Sequence, residues 1–179
     1  MRIREMIKVM IPVVAVLLLI GCTNARRDFE KAQKEDTVNS YKAFLDRHPN
    51  SKYNSDAQKC IEYLNQISVI SQTLEEDDPT EKAKAIMAIR SLEKSSKLYA
   101  LVPSLISSLD DRRMVWIIKG MTFLKGIAVA TGKEGGSARL SSVAGEAVES
   151  LKFITGESFG RDKEKWEHWW TIRKDKANE

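Results

Sequence analysis

The sequence predicts an all-α fold of helical hairpins behind a short N-terminal leader. Three observations carry that prediction. Apolar residues recur at helical spacing along most of the chain, and no segment shows a sustained alternation of β-branched residues. Helix caps and stops, at His48-Pro49, Asp78-Pro79 and Gly156, separate the periodic stretches. The 179 residues hold only two cysteines, so packed apolar surface must support the fold without a disulfide framework.

The chain opens Met1-Arg2-Ile3-Arg4-Glu5-Met6-Ile7-Lys8, continues through the uncharged run Val9–Ile20, and reaches Leu19-Ile20-Gly21-Cys22. A basic start, an apolar middle and a small residue at the cut make a secretory signal. Leu19-Ile20-Gly21-Cys22 resembles the bacterial lipobox. That resemblance implies a lipoprotein signal peptide over 1–21 and acylation of Cys22, palmitate included, as the new N-terminus on an envelope membrane. Thr23 in place of Asp implies sorting to the outer membrane, facing the periplasm. The competing reading is a retained membrane helix. At ~1.5 Å per residue the run spans roughly 18 Å against a ~30 Å hydrocarbon core, and it contains Pro12.

The full chain carries a net charge of +4, and residues 1–21 hold three basic residues and one acidic residue, leaving +2 afterwards. No block of five or six like charges appears, so nucleic acid is not the expected partner. Beyond Cys22, Cys60 is the only thiol.

From Arg26, Phe29 and Ala32 mark a first helix, and Val38, Tyr41, Phe44 and Leu45 form the stripe of a second. Asp36 is the expected cap of that second helix, and Pro49 ends it because proline disfavours helical geometry in the residue before it. A third helix is expected from about Ser55 to Ile67, with Ala57, Ile61 and Leu64 inward. The pattern Phe29-x-x-Ala32, Tyr41-x-x-Phe44-Leu45, His48-Pro49-Asn50-Ser51-x-Tyr53 and Ala57 resembles tetratricopeptide-type repeats of periplasmic lipoproteins. It covers about 25–64, little more than one repeat, where about three are normally needed to bury both faces. A lipidated N-terminus with tetratricopeptide-like helices is thus expected over 22–70.

Glu75-Glu76-Asp77-Asp78-Pro79 marks a boundary. It lacks the alternating ligands and glycine of a calcium loop. Asp78 instead reads as a helix cap, with Pro79 at the first position and Glu81 in the first turn. Ala85, Ile86, Ile89 and Leu92 then share a face, and Leu98–Asp111 reads as the next helix, with Pro103 in its first turn. Val115–Ala130 is expected to be a third, more apolar helix interrupted by Gly120 and Gly126, and Thr131–Ser142 a loop. Gly132-Lys133-Glu134-Gly135-Gly136-Ser137 has the wrong order and flanks for a phosphate loop. A last helix pair starts near Val143, with Gly156 at a C-terminus and Asp162 as the cap of the final helix.

The phrase from Ala85 to Asp111 resembles a HEAT-type repeat. Leu151, Ile154-Thr155-Gly156, Phe159-Gly160, Asp162, Trp166 and Trp169-Trp170 resemble the closing phrase of bacterial HEAT-repeat proteins of the phycobilin-lyase-like kind. The resemblance implies a HEAT-like helical domain over 80–179, stacked with the preceding hairpin as a short solenoid. The tryptophans are expected to cap the last hairpin; an aromatic ligand platform is the rival reading.

His48 and His168 belong to no ligand cluster, so no metal or cofactor is expected. No nucleophile motif or paired-carboxylate signature appears, so no catalytic residue and no enzyme activity are expected. The resulting expectation is a membrane-anchored, non-catalytic adaptor that binds an envelope protein partner. An accessory subunit of an outer-membrane assembly complex is the alternative, and an envelope enzyme acting on wall or lipid is a third. Tyr41, Lys42, Lys52 and Tyr53 form the candidate partner contact, set against a plain reading as solvated surface with packing tyrosines.

Overall fold

The computed structural model describes residues 24–118, 121–124, 127–130 and 138–177. The leader expected over 1–21, Cys22 and the glycine-rich stretch 131–137 lie outside the described residues. The chain is predominantly helical and divides into two compact units, Met1–Asn65 and Gln66–Glu179.

In the first unit, α1 covers 24–35, α2 runs Val38–Arg47, and α3 begins at Asn54 and continues to Leu74 in the second unit. Phe29, Ala32, Tyr41, Phe44, Ala57 and Ile61 form the core, with Val38, Leu45, Tyr53, Cys60 and Leu64 packed at its edge. Phe29 is its hub: its ring stacks on Tyr53 at 5.0 Å and meets Phe44 at 5.3 Å. The cap of α2 is Thr37, not Asp36. Thr37 and Ser40 exchange side-chain to backbone hydrogen bonds in a capping box. Asp36 takes φ 50°, the left-handed region that Asp tolerates, and turns the chain between α1 and α2.

The second unit is built around α4, Pro79–Ile89. Ala83 and every residue from Ala85 to Ile89 are buried, the signature of a helix covered on all sides. Its start is as the sequence predicts: Asp78 Oδ1 accepts from the Thr80 and Glu81 amides, with Pro79 in the first turn. α6, Val143–Thr155, packs on α4 and buries Ala144, Ala147, Leu151 and Ile154. Its C-terminus closes on Gly156 at φ 80°, the left-handed cap that glycine adopts without steric penalty. Leu98–Asp111 is not one helix. A 3-10 segment, Ser96–Leu101, leads into a short α5, Val102–Ser107, and a second 3-10 turn, Ser108–Asp110. α7, Lys163–Ala177, packs on α5.

Val115–Ala130 is not a helix. It supplies β1, Met114–Ile118, β2, Met121–Leu124, and β3, Ile127–Ala130. The expected loop ends in β4, Ala138–Ser142. β1 pairs antiparallel with β4 and β2 with β3, giving two two-stranded ribbons that pack on α4. β1 shows why. Val115 and Ile117 are buried while Met114 and Trp116 stand out, a period of two that bulky and β-branched side chains favour. Gly120 and Gly126 together would cost an uninterrupted helix about 2 kcal/mol relative to alanine.

Candidate functional site

The residues proposed from sequence as a partner contact are placed unequally. Tyr41 is only 2% exposed, and its hydroxyl donates to Asp36 Oδ1 across 3.0 Å. Burial, then hydrogen bonding with Cys60 and Asp36, pushes that hydroxyl's pKa well up. Tyr41 is therefore core, as its position one helical turn from Phe44 and Leu45 requires, and presents no contact surface. Tyr53 is half-buried against Phe29, with Lys52 Nζ 5.1 Å from its ring centre. Lys42 and Lys52 are exposed.

Asp28, Glu35, Ser40 and Arg47 help to line a groove of about 70 Å³ in the same unit. That is well below the ~300 Å³ of the smaller ligand sites. At its rim the His48 Nε2–H donates to Asp28 Oδ2 at 2.8 Å, and Phe44 lies 5.2 Å from the imidazole. The hydrogen bond from His48 holds the Asp28 carboxyl below its ordinary 3.8, with the charges of His48, Arg47 and Arg27 assisting. A carboxyl lowered in the folded state stabilises above its unfolded pKa and loses that contribution as pH falls through the folded value. Acid unfolding of the first unit should accordingly be less steep in Asp28→Asn than in the parent below the usual carboxylate range. Circular dichroism melts across that range check this, and identical slopes would remove Asp28 from the account.

Glu146 is the centre of the second unit's polar interior. It is 1% exposed, on α6. Arg90 Nη2 and Arg139 Nη2 each donate to its carboxylate at 2.6 Å, and the Ser141 hydroxyl donates at 2.5 Å. Arg90 Nη1 also donates to Ser150 Oγ at 3.0 Å, and the Ser150 hydroxyl reaches the Ile86 carbonyl at 2.8 Å. The network joins α4, α6 and β4. Its signal was in the sequence: Val143, Glu146, Ala147, Ser150, Leu151 and Ile154 share one helical stripe, and polar members of such a stripe need buried partners.

The third group lies on α7. Trp166 is fully buried and its Nε1–H donates to the Gly160 carbonyl at 2.9 Å. Phe159 meets it edge-on at 4.7 Å. This is the expected cap over the last hairpin. Trp169 and Trp170 are different: both are half-buried, each with its ring centre 6.5 Å from Tyr99 at a shallow interplanar angle. The Arg173 guanidinium lies 5.9 Å from the Trp169 ring. Tyr99, Trp169, Trp170 and Arg173 thus form a partly open aromatic shelf, with Ile172 exposed on the same helix. Tyr99 was not identifiable from sequence because it stands seventy residues away on a 3-10 turn.

Among the described residues, no group of three or more His, Cys, Asp or Glu side chains is placed to hold a metal ion. No helix among them is long and apolar enough to cross a membrane. No family model, curated protein or solved structure matches this chain.

Proposed function

We propose that the chain is a lipid-tethered protein of the bacterial envelope, on the outer membrane facing the periplasm, that binds a protein partner and performs no chemistry of its own. The tether rests on the basic start, the apolar run and Leu19-Ile20-Gly21-Cys22. The resemblance to tetratricopeptide and HEAT hairpins favours binding, since such hairpins present extended surfaces to protein segments. The observation that carries the binding reading is the shelf of Tyr99, Trp169, Trp170 and Arg173. Tryptophan, tyrosine and arginine dominate interface hot spots, and rings already ordered against one another lose little freedom when covered. A lipid on Cys22 would hold the shelf near membrane-associated partners at a raised effective concentration.

Crosslinking of the full chain in its native envelope, with mass spectrometry of what co-purifies, tests this. A small reproducible set of envelope proteins is expected. It should be lost in Cys22→Ala, which removes the anchor, and captured roughly tenfold or more weakly in Trp170→Ala, the scale of one hot-spot side chain. Recovery of wall fragments or lipids with no protein would sink the adaptor reading and favour an enzyme.

A further inference from the structure

The anchor proposed at Cys22 leaves the first unit almost no slack. Asn24 already belongs to α1, and Ala25 is buried. Cys22 stands three peptide steps before Ala25, a reach of at most about 11 Å however the residues between them run. The headgroup layer on each side of a bilayer is itself about 5–7 Å deep. A lipid on Cys22 therefore brings the end of the unit that holds Ala25 to the headgroups.

Three contacts show what else lies at that end. The His48 Nε2–H donates to Asp28 Oδ2 at 2.8 Å, bringing the C-terminus of α2 to the start of α1. Tyr53 stacks on Phe29 at 5.0 Å, and Lys52 Nζ lies 5.1 Å from the Tyr53 ring centre. The connection from His48 to Tyr53 thus shares the tethered end with the first turn of α1. Arg26, Arg27, Arg47 and Lys52 are exposed there. Asp28, Glu30 and Asp46 are the carboxylates beside them, so the balance at this end is positive. Asp28 is already engaged by His48, with the Arg27 and Arg47 charges also acting on it. Glu30 pairs with Arg26 at 2.8 Å, but both side chains are more than half exposed, and such pairs contribute little. Arg27, Arg47 and Lys52 make no salt bridge or hydrogen bond among the described residues. The far end of α1, Lys34-Glu35-Asp36, has the opposite balance.

We propose that the first unit rests on the membrane that holds Cys22, with Arg26, Arg27, Arg47 and Lys52 against the headgroups of anionic phospholipid. This deepens the tethered reading and rests on it. The tether selects the end, and the charge makes the enforced contact favourable, since arginine and lysine are drawn to an anionic leaflet. One lipid chain gives marginal, reversible membrane binding, and basic residues beside it are the kind of second contact that stabilises it. α1 then rises from the surface, and Lys34 lies about 14 Å further along it than Ala25. Lys52 meets lipid, not a protein partner.

The test places a photoreactive benzoylphenylalanine at position 50 or position 34 of the full chain in its own cells. Both Asn50 and Lys34 are exposed, and replacing Asn50 leaves every cation of the tethered end in place. Intact mass reports whether Cys22 carries lipid, and separates adducts of whole phospholipid from the chain's own acyl groups. Phospholipid capture about fivefold or more stronger at position 50 than at position 34 is expected. Arg27→Glu with Lys52→Glu should lower capture at position 50 about fivefold or more, the scale of one basic residue at a charged surface. Both positions are exposed, so an unchanged melting temperature should accompany that loss. Equal capture at the two positions, or capture undiminished by the charge reversal, overturns the proposal. So does a protein adduct in place of lipid at position 50. A lipidated chain with any of these results keeps the tether and loses the docking. A chain without lipid on Cys22 sinks both.

Discussion

Trp166→Ala is expected to destabilise the Gln66–Glu179 unit by about 3–5 kcal/mol, the cost of truncating a fully buried large aromatic. The indole has no exposed surface, meets Phe159 edge-on at 4.7 Å, and donates to the Gly160 carbonyl at 2.9 Å. Its backbone amide also donates to the Asp162 carbonyl at 3.2 Å, in the first turn of α7. Alanine would leave a cavity between α7 and the preceding loop. Against a typical domain stability of 5–15 kcal/mol that is a large share. Trp166→Phe should cost less, about 1–2 kcal/mol, because ring volume largely survives and the exposed Gly160 carbonyl can be rehydrated. Denaturant unfolding followed by far-ultraviolet circular dichroism measures both. A loss under about 1 kcal/mol for the alanine variant would show that the aromatic cap is not packed as described. Partner capture at the shelf should fall with it, since Trp169 and Trp170 are placed by the helix that Trp166 anchors.

Arg90→Met is expected to cost about 3–5 kcal/mol, because it strips a buried carboxylate of one of its two cations. Glu146 would keep Arg139 and Ser141, but Arg139 is 42% exposed against 25% for Arg90, and its attraction is more screened. Methionine retains most of the aliphatic stem, so the loss is chiefly electrostatic. The decisive variant is the double one. Arg90→Met with Glu146→Leu removes both charges and should be clearly more stable than Arg90→Met alone, since the buried carboxylate left with only the half-exposed Arg139 as its cation is gone. Equal stability of the single and double variants would show that Glu146 is not an uncompensated charge in the single one. The same denaturant curves supply the comparison.

The helical class, and the caps within it, were legible because each depends on local chemistry. Asp78-Pro79 starts α4, Asp162 accepts the Lys165 amide at the start of α7, and Gly156 closes α6. Asp36 and Thr37 stand side by side and are both capping residues by type; Thr37 is the cap because with Ser40 it makes the reciprocal box. The ribbons were missed for a different reason. Met114–Ile118 is apolar at every position, and an unbroken apolar run does not distinguish a strand from a buried helix. Only tertiary packing, which buries Val115 and Ile117 and leaves Trp116 out, imposes the period of two. Tyr41 shows the limit for sites: its residue type suggested a contact, and its place on the Phe44 stripe decided for the core. The aromatic shelf needed Tyr99 brought to Trp169 and Trp170, a proximity no local pattern encodes.

The inward face of β4 works as a parity check on the chain. Arg139 and Ser141 are two residues apart, so both reach Glu146 only when β4 sits in the observed pairing, Ile117 opposite Arg139 and Val115 opposite Ser141. Slipping β4 by one residue would turn Leu140 inward and send both donors to solvent, leaving the buried carboxylate with Arg90 alone. Apolar neighbours alone would tolerate that error, because leucine and valine can trade places in a ribbon at little cost. An odd-numbered insertion between β3 and β4 is therefore no threat so long as it stays in the connection. One inside the strand would scramble an address that three polar side chains spell.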